Sequence, residues 1–201
     1  LRNAGAGGGI TVKFKGSQTE KNLMAAFAGE SQARNRYSFF ASVAKKEGYE
    51  QIAGFFQQTA DEEKEHAKLF FKLLQGGEVE IRTAYPAGII TSTMENLKAA
   101  ASGEKMEWGT IYPSFAATAK KEGFPEIANL FTQISKVEAH HEKRYAKLYE
   151  NLQKGATFKR GTKQVWHCRN CGFVLEGKAA PEKCPACDHP QAHFEILSEN
   201  Y

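Results

Sequence analysis

What the chain lacks narrows its function first. No apolar run comes near the ~20 consecutive residues that span a bilayer, and no basic, apolar and small-residue pattern opens the chain. A membrane protein is therefore not expected, and a cytoplasmic location is. Charge of one sign is scarce too: the formal charge is only +4, and lysines alternate with glutamates in Lys45-Lys46-Glu47 and Lys120-Lys121-Glu122, which leaves no basic face for nucleic acid. Cysteine is missing from the large N-terminal part. All four cysteines lie between Cys168 and Cys187, a clustering that reads as a metal site and not as a disulfide framework. The rest of the 201 residues, 41% hydrophobic and 25% charged, has the composition of a globular chain with room for one buried domain and a small appendage.

Residues 1–16 begin glycine- and alanine-rich without periodicity and read as a flexible leader or an appended remnant with no function. From Ser17 to Leu152 the pattern is helical, punctuated by Gly48, by Gly76, Gly77 and Pro86, and by Gly123 and Pro125. It predicts four helices, over 19–47, 50–75, 91–122 and 125–153, paired by tight turns into two antiparallel hairpins with a longer crossing segment, 76–90, between them. The hairpins repeat one another. Ala44-Lys45-Lys46-Glu47-Gly48-Tyr49 recurs as Ala119-Lys120-Lys121-Glu122-Gly123-Phe124, and Glu63-Lys64-Glu65-His66 as Glu138-Ala139-His140-His141, each displaced by 75 residues. An all-α, pseudo-twofold four-helix bundle over 17–155 is expected, and a change of texture to short aromatic, glycine and cysteine segments opens a second domain, 160–201.

The bundle stripes carry carboxylates where leucines belong. In the second helix Ile52, Phe56, Thr59, Glu63, His66, Phe70 and Leu73 alternate at spacings of four and three, and in the fourth Ile127, Phe131, Ile134, Glu138, His141, Tyr145, Leu148 and Leu152 do the same. The first helix adds Glu30 to a stripe of Leu23, Phe27, Arg34, Tyr37, Ala41 and Ala44, and the third adds Glu104 to Leu97, Ala101, Trp108, Ile111 and Phe115. Burying one uncompensated carboxylate costs several kcal/mol, so four facing one region need cations between them. The spacing i, i+3 stacks Glu and His on one face, which lets one side chain bridge two metals while the other ends a coordination sphere. This is the ligand pattern of ferritin-like di-iron and di-manganese bundles, and mixed carboxylate and imidazole ligands favour iron or manganese over copper or calcium. One irregularity stands out: Glu30 precedes Tyr37 by seven residues, whereas Glu104 precedes Tyr112 by eight, so if all four face the site the third helix must absorb an extra residue, most simply as a π-bulge between 104 and 112. Tyr37 and Tyr112 serve either as phenolic donors to ligand carboxylates or as plain core aromatics.

Cys168-x2-Cys171 and Cys184-x2-Cys187 supply four thiolates in two knuckles, enough for a closed tetrahedral site, without choosing zinc over iron. Four thiolates fill the shell, so His167, His189 and His193 are expected to be packing or surface residues, and His140 to lie outside the bundle core. The runs Cys171-Gly172-Phe173 and Cys184-Pro185-Ala186-Cys187, with Trp166 and Phe194, resemble the knuckles and aromatic core of rubredoxin.

Ala28-Gly29-Glu30-Ser31-Gln32-Ala33-Arg34-Asn35-Arg36-Tyr37, the two E-x-x-H motifs and the cysteine module together resemble the rubrerythrin family, from about Phe14 onward. The resemblance implies a ferritin-like bundle with a small rubredoxin-like β domain. It makes Glu63 and Glu138 the bridges of a two-iron site, Glu30 a terminal ligand of one iron, and Glu104 with His141 terminal ligands of the other. Glu107 and His66 exchange at the first iron, the glutamate when oxidised and the histidine when reduced, with Tyr37 and Tyr112 beside the chemistry. Cys168, Cys171, Cys184 and Cys187 then hold a single iron. The implied activity is reduction of hydrogen peroxide to water, with electrons from rubredoxin or a nicotinamide-dependent reductase, in a homodimer whose helices are either closed within a chain or swapped. The competing readings are a ferroxidase or iron-storage protein and a regulatory scaffold with a structural zinc.

Overall fold

The computed structural model describes residues 13–201, so most of the expected leader lies outside the described residues. What is described of it belongs to the bundle: Phe14 is buried and meets Phe124 edge to face at 5.6 Å. The helices are α1 (Gln18–Lys46), α2 (Glu50–Phe71), α3 (Thr93–Met106), α4 (Tyr112–Lys121) and α5 (Pro125–Gln153), with a π-helical turn (Glu107–Ile111) joining α3 to α4. Ser17 caps α1 by accepting from the Glu20 amide at 3.0 Å, and Ser92 caps α3 by accepting from the Glu95 amide at 3.3 Å. Gly48 and Gly123, at φ +84° and +88°, end α1 and α4 in the left-handed conformation that a Cβ disfavours. The duplication is carried into a reciprocal lock: Glu122 accepts from the Thr19 amide at 2.8 Å, and Glu47 accepts from the Thr93 amide at 3.0 Å. Each hairpin thus uses a glutamate at its turn to satisfy the exposed helix start of the other.

Two expected boundaries shift. The second helix stops at Phe71 instead of 75, because Leu73 and Leu74 turn back to Phe70 and Phe71 with i to i+3 bonds ahead of Gly76 and Gly77. The third begins at Thr93 and not 91, since the Asn96 side chain takes both the amide and the carbonyl of Thr91. The inward stripe of α1 is also corrected at one place: Arg34 is exposed and Ala33 is buried in its stead, the step after Glu30 being three residues and not four.

Two apolar half-cores sandwich a polar layer. Tyr37, Phe40, Phe56 and Tyr145 gather on one side, and Leu23, Phe70, Tyr112, Ile127 and Phe131 on the other. Each such buried side chain contributes about 1.5–3 kcal/mol, which offsets the cost of the charged layer between them.

The C-terminal domain is a three-stranded antiparallel sheet in the order β2-β1-β3, with β1 Lys159–Cys168, β2 Val174–Ala179 and β3 Phe194–Ile196. Trp166, Cys168, Ala180, Cys184 and Phe194 form its core, and the Trp166 indole donates to the Gly177 carbonyl at 3.0 Å. It docks on the α1–α2 turn. Phe158 stacks on Tyr49 at 6.1 Å, and the Arg169 guanidinium lies so close to Gly54 that a Cβ there would come within 2.7 Å of it.

Candidate metal centre

Glu30 of α1, Glu63 and His66 of α2, Glu104 of α3, and Glu138 and His141 of α5 converge in the polar layer, and all six are buried. They form two overlapping groups, Glu30-Glu63-His66-Glu138 and Glu63-Glu104-Glu138-His141, whose donor atoms lie within 4.8 Å of one another. The overlap has a direct cause. Glu63 presents Oε2 to His66 Nδ1 at 2.8 Å and Oε1 to His141 Nδ1 at 3.2 Å. Glu138 presents Oε1 to His66 Nδ1 at 3.0 Å and Oε2 to His141 Nδ1 at 2.8 Å. Each of these carboxylates therefore divides its two oxygens between two points, one beside each imidazole, as a bridging ligand does.

The outer glutamates are aimed by tyrosines. The Tyr112 hydroxyl donates to Glu30 Oε1 and the Tyr37 hydroxyl to Glu104 Oε1, reciprocally across the hairpins. Their other oxygens, Glu30 Oε2 and Glu104 Oε2, are buried without a hydrogen-bond partner, and Glu63 Oε1, both oxygens of Glu138 and His141 Nδ1 are buried too, facing an imidazole or carboxylate at ion-pair distance but without hydrogen-bond geometry. Buried polar atoms are normally satisfied, and orphaned carboxylate oxygens turned toward two common points fit a pair of cations.

The electrostatics agree. Burial, then the neighbouring Glu63, push the Glu104 carboxyl up to about 8, and the same causes raise Glu30 well above the usual carboxylate range. Burial opposes charge on His66, but Glu138 and Glu63 outweigh it and hold the imidazole up to about 10. Burial likewise opposes charge on Glu63, yet His141 and His66 bring it down to about 2. Protonated histidines here do in part what metal ions would do: they supply positive charge to a carboxylate cluster.

Glu107 stands apart from both groups. It opens the π-helical turn, half-buried, on the wall of a cavity of about 410 Å³ that lies between α1, the turn and crossing-segment residues Tyr85 and Pro86, with Tyr37, Tyr112 and Arg36 also on its wall. Burial, then Glu104, raise its carboxyl well above the usual range, against the pull of Arg36. The turn itself follows from the extra residue between Glu104 and Tyr112, and the Tyr112 amide bonds to the Glu107 carbonyl five residues back. Continuing that pattern would require an amide from Pro113 for the Trp108 carbonyl. Proline has none, and the Ser135 hydroxyl of α5 donates to Trp108 instead, at 3.2 Å.

Two residues absent from the sequence reading complete the surroundings. Glu62 accepts from His141 Nε2 at 3.0 Å and from Arg144 at 3.1 Å, and Arg144 also donates to Thr59 at 2.6 Å. Their signal in the sequence was faint, since Glu62 sits one residue off the inward stripe.

In the second domain the four Sγ atoms come together, Cys168 to Cys187 at 3.9 Å and Cys171 to Cys184 at 3.7 Å. A tetrahedron with metal–sulfur bonds of about 2.3 Å has edges of about 3.8 Å. The His189 amide, helped against burial by Cys171, Cys184 and Asn170, pulls the Cys187 thiol down to about 6, toward the thiolate a metal requires. His140 is exposed, and His167, His189 and His193 are half-buried and outside the thiol cluster.

Comparison with known proteins agrees with this geometry. Residues 21–149 match the family model described as rubrerythrin, and residues 166–195 the model of the rubrerythrin rubredoxin-like domain. The chain is 62% identical over 192 residues to rubrerythrin of Porphyromonas gingivalis, covering 96% of each chain. To rubrerythrin of Nitratidesulfovibrio vulgaris it is 54% identical over 188 residues, covering 94% of this chain and 98% of that one. Among solved structures, the mixed-valence state of nigerythrin superposes with a TM-score of 0.60 at 31% identity, over 96% of this chain and 91% of that one.

Proposed function

The chain belongs to the rubrerythrin family, with that family's di-iron site in the bundle and its rubredoxin-like iron site at the four cysteines, and on that premise we propose that it reduces hydrogen peroxide to two waters. Glu63 and Glu138 are assigned as the bridges, Glu30 and His66 as ligands of one iron, and Glu104 and His141 as ligands of the other. When bound, the iron pair supplies the two electrons the reaction consumes, one from each ferrous ion. Cys168, Cys171, Cys184 and Cys187 hold the iron through which electrons enter, one at a time, from a rubredoxin-type donor fed by a nicotinamide-dependent reductase.

The chain's own residues then have distinct tasks. Tyr37 and Tyr112 fix one oxygen of Glu104 and Glu30, so that the other stays turned inward. The cavity beside the π-helical turn admits peroxide, and its small residues Gly29, Ala33 and Gly103 keep the way clear. Glu107, with its raised carboxyl on that wall, holds a proton at the place where two are consumed. His66 and Glu107 would be alternative ligands of the same iron, the carboxylate suited to the more highly charged oxidised metal and the imidazole to the reduced one.

The observation that carries this reading is the placement of His66 and Glu107. His66 lies within a ligand group, while Glu107 stands outside both, on the π-helical turn and on the wall of the cavity beside it. His66→Ala is expected to slow peroxide turnover without abolishing iron binding, and unchanged turnover would overturn the exchange. The iron-storage alternative needs no cysteine domain. Removing residues 160–201 should end peroxide turnover driven by a rubredoxin-type donor while ferrous oxidation by the bundle persists, and equal turnover with and without the domain would favour storage.

A further inference from the structure

The duplicated hairpins allow each histidine to be compared with its counterpart. His66 and His141 are related by the displacement of 75 residues, and both turn Nδ1 toward Glu63 and Glu138. Their outer nitrogens differ. His141 Nε2 donates to Glu62 at 3.0 Å, and Glu62 is held by Arg144, which in turn is anchored on the buried Thr59. His66 Nε2 has no hydrogen bond among the described residues. The same displacement carries Glu62 to Val137, Arg144 back to Leu69 and Thr59 to Ile134. All three polar positions of the tether in one half are aliphatic in the other.

We infer that Glu62, held by Arg144, is a positioning residue that keeps His141 in place, and that Val137 at the matching position is what leaves His66 free to depart. This pair of positions then decides which end of the site exchanges its ligand. The physical reason lies in both the bond and the lever arm. With Nε2–H donated to Glu62, the imidazole lone pair is confined to Nδ1 and the ring plane is fixed at two points, Nδ1 inside and Nε2 outside. His66 is held from the inside alone, so a change in metal charge that weakens its Nδ1 contact meets no outer restraint. An outer carboxylate of this kind typically strengthens metal binding by about 10–100-fold.

The inference rests on the exchange of Glu107 for His66 proposed above, and the two can fail separately. The full-length iron-loaded protein is the sample, and the readouts are bundle iron affinity, by competition with a chromophoric ferrous chelator, and the iron-shifted imidazole N–H signals in its reduced and oxidised NMR spectra. The wild-type protein should show two such signals when reduced and one when oxidised. Glu62→Val should weaken one of the two bundle irons about 10–100-fold and make the persisting N–H exchange faster with solvent, whereas Glu62→Gln, which keeps an acceptor oxygen, should restore both. Val137→Glu should retain two signals in both redox states and slow peroxide turnover by about tenfold or more, with iron affinity unchanged or raised. Val137 is 37% exposed, so the new carboxylate stays in contact with solvent, and Val137→Gln places a neutral acceptor there should the charged variant not fold. A wild-type protein with the same signals in both states overturns the exchange and this inference with it. A wild-type protein that loses one signal on oxidation, beside Val137→Glu and Val137→Gln variants that lose it equally, overturns this inference alone, as does an unaltered iron affinity in Glu62→Val.

Discussion

At Glu104 burial and the nearby Glu63 raise the carboxyl from its ordinary 4.5 to about 8, and His66, against burial, is raised from 6.5 to about 10 by Glu138 and Glu63. A group raised in the folded state stabilises it fully below the unfolded value and ceases to do so as pH passes the folded one. Glu104 therefore loses its contribution between pH 4.5 and 8, and His66 between 6.5 and 10. Glu63, lowered to about 2, acts in the opposite sense, and its contribution disappears only as pH falls from 4.5 through 2. The iron-free protein should thus melt at a lower temperature at pH 9 than at pH 6. Iron binding displaces the same protons, so the gap in melting temperature between loaded and iron-free protein should widen over that interval. Calorimetry of both forms at the two pH values checks this, and an iron-free protein that is more stable at pH 9 would refute it. At this scale the ligand glutamates were legible because they interrupt apolar stripes. Glu62 and Arg144 were not, since a partly exposed glutamate one residue off the stripe looks like any solvated side chain until the facing helix is in place.

The π-helical turn belongs to the scale of the element. Comparing the seven residues from Glu30 to Tyr37 with the eight from Glu104 to Tyr112 was enough to require an inserted residue once all four face the site. Placement of the turn over Glu107–Ile111 was not legible, for it depends on which carbonyl can be satisfied from outside the helix. Ser135 settles that by donating to Trp108, beside the amide that Pro113 lacks. Ser135→Ala should cost about 1 kcal/mol, read as a lower urea midpoint at unchanged slope, while Ser135→Thr retains most of the stability. A midpoint unchanged in Ser135→Ala would mean that water serves Trp108 equally well. Helix ends show the same division: Gly48 and Gly123 stop their helices where the sequence predicts, but α2 ends early through a local turn that periodicity does not register.

For the whole molecule, the two hairpins of one chain close the site by themselves, every member of both ligand groups coming from α1, α2, α3 and α5 of that chain. The cysteine domain rests on the N-terminal end of α2, away from the polar layer farther along that helix. From Gly54, beside Arg169, to Glu63 is about 14 Å along the helix axis, before the reach of the arginine is added. A homodimer of the kind the family resemblance implies would bring a neighbour's cysteine domain nearer, and Phe39, Ile81, Ile89 and Ile90 are exposed apolar residues suited to such a contact. A purified mixed dimer of a Cys184→Ala chain and a Glu63→Ala chain tests the route. Electrons crossing between chains should give about half of wild-type turnover, since one of two routes survives, whereas transfer within a chain should leave the mixed dimer inactive. Sequence by itself determined the two-domain build, the bundle, the paired E-x-x-H motifs and the four-cysteine site, because each is written in residue type at helical or knuckle spacing. Only the tertiary structure decided that Glu63 and Glu138 divide their oxygens between the two imidazoles, that Tyr37 and Tyr112 cross to the opposite hairpin, and that His141 is tethered while His66 is not. Those features are distances between residues far apart along the chain, and spacing within one helix carries no information about what the facing helix presents.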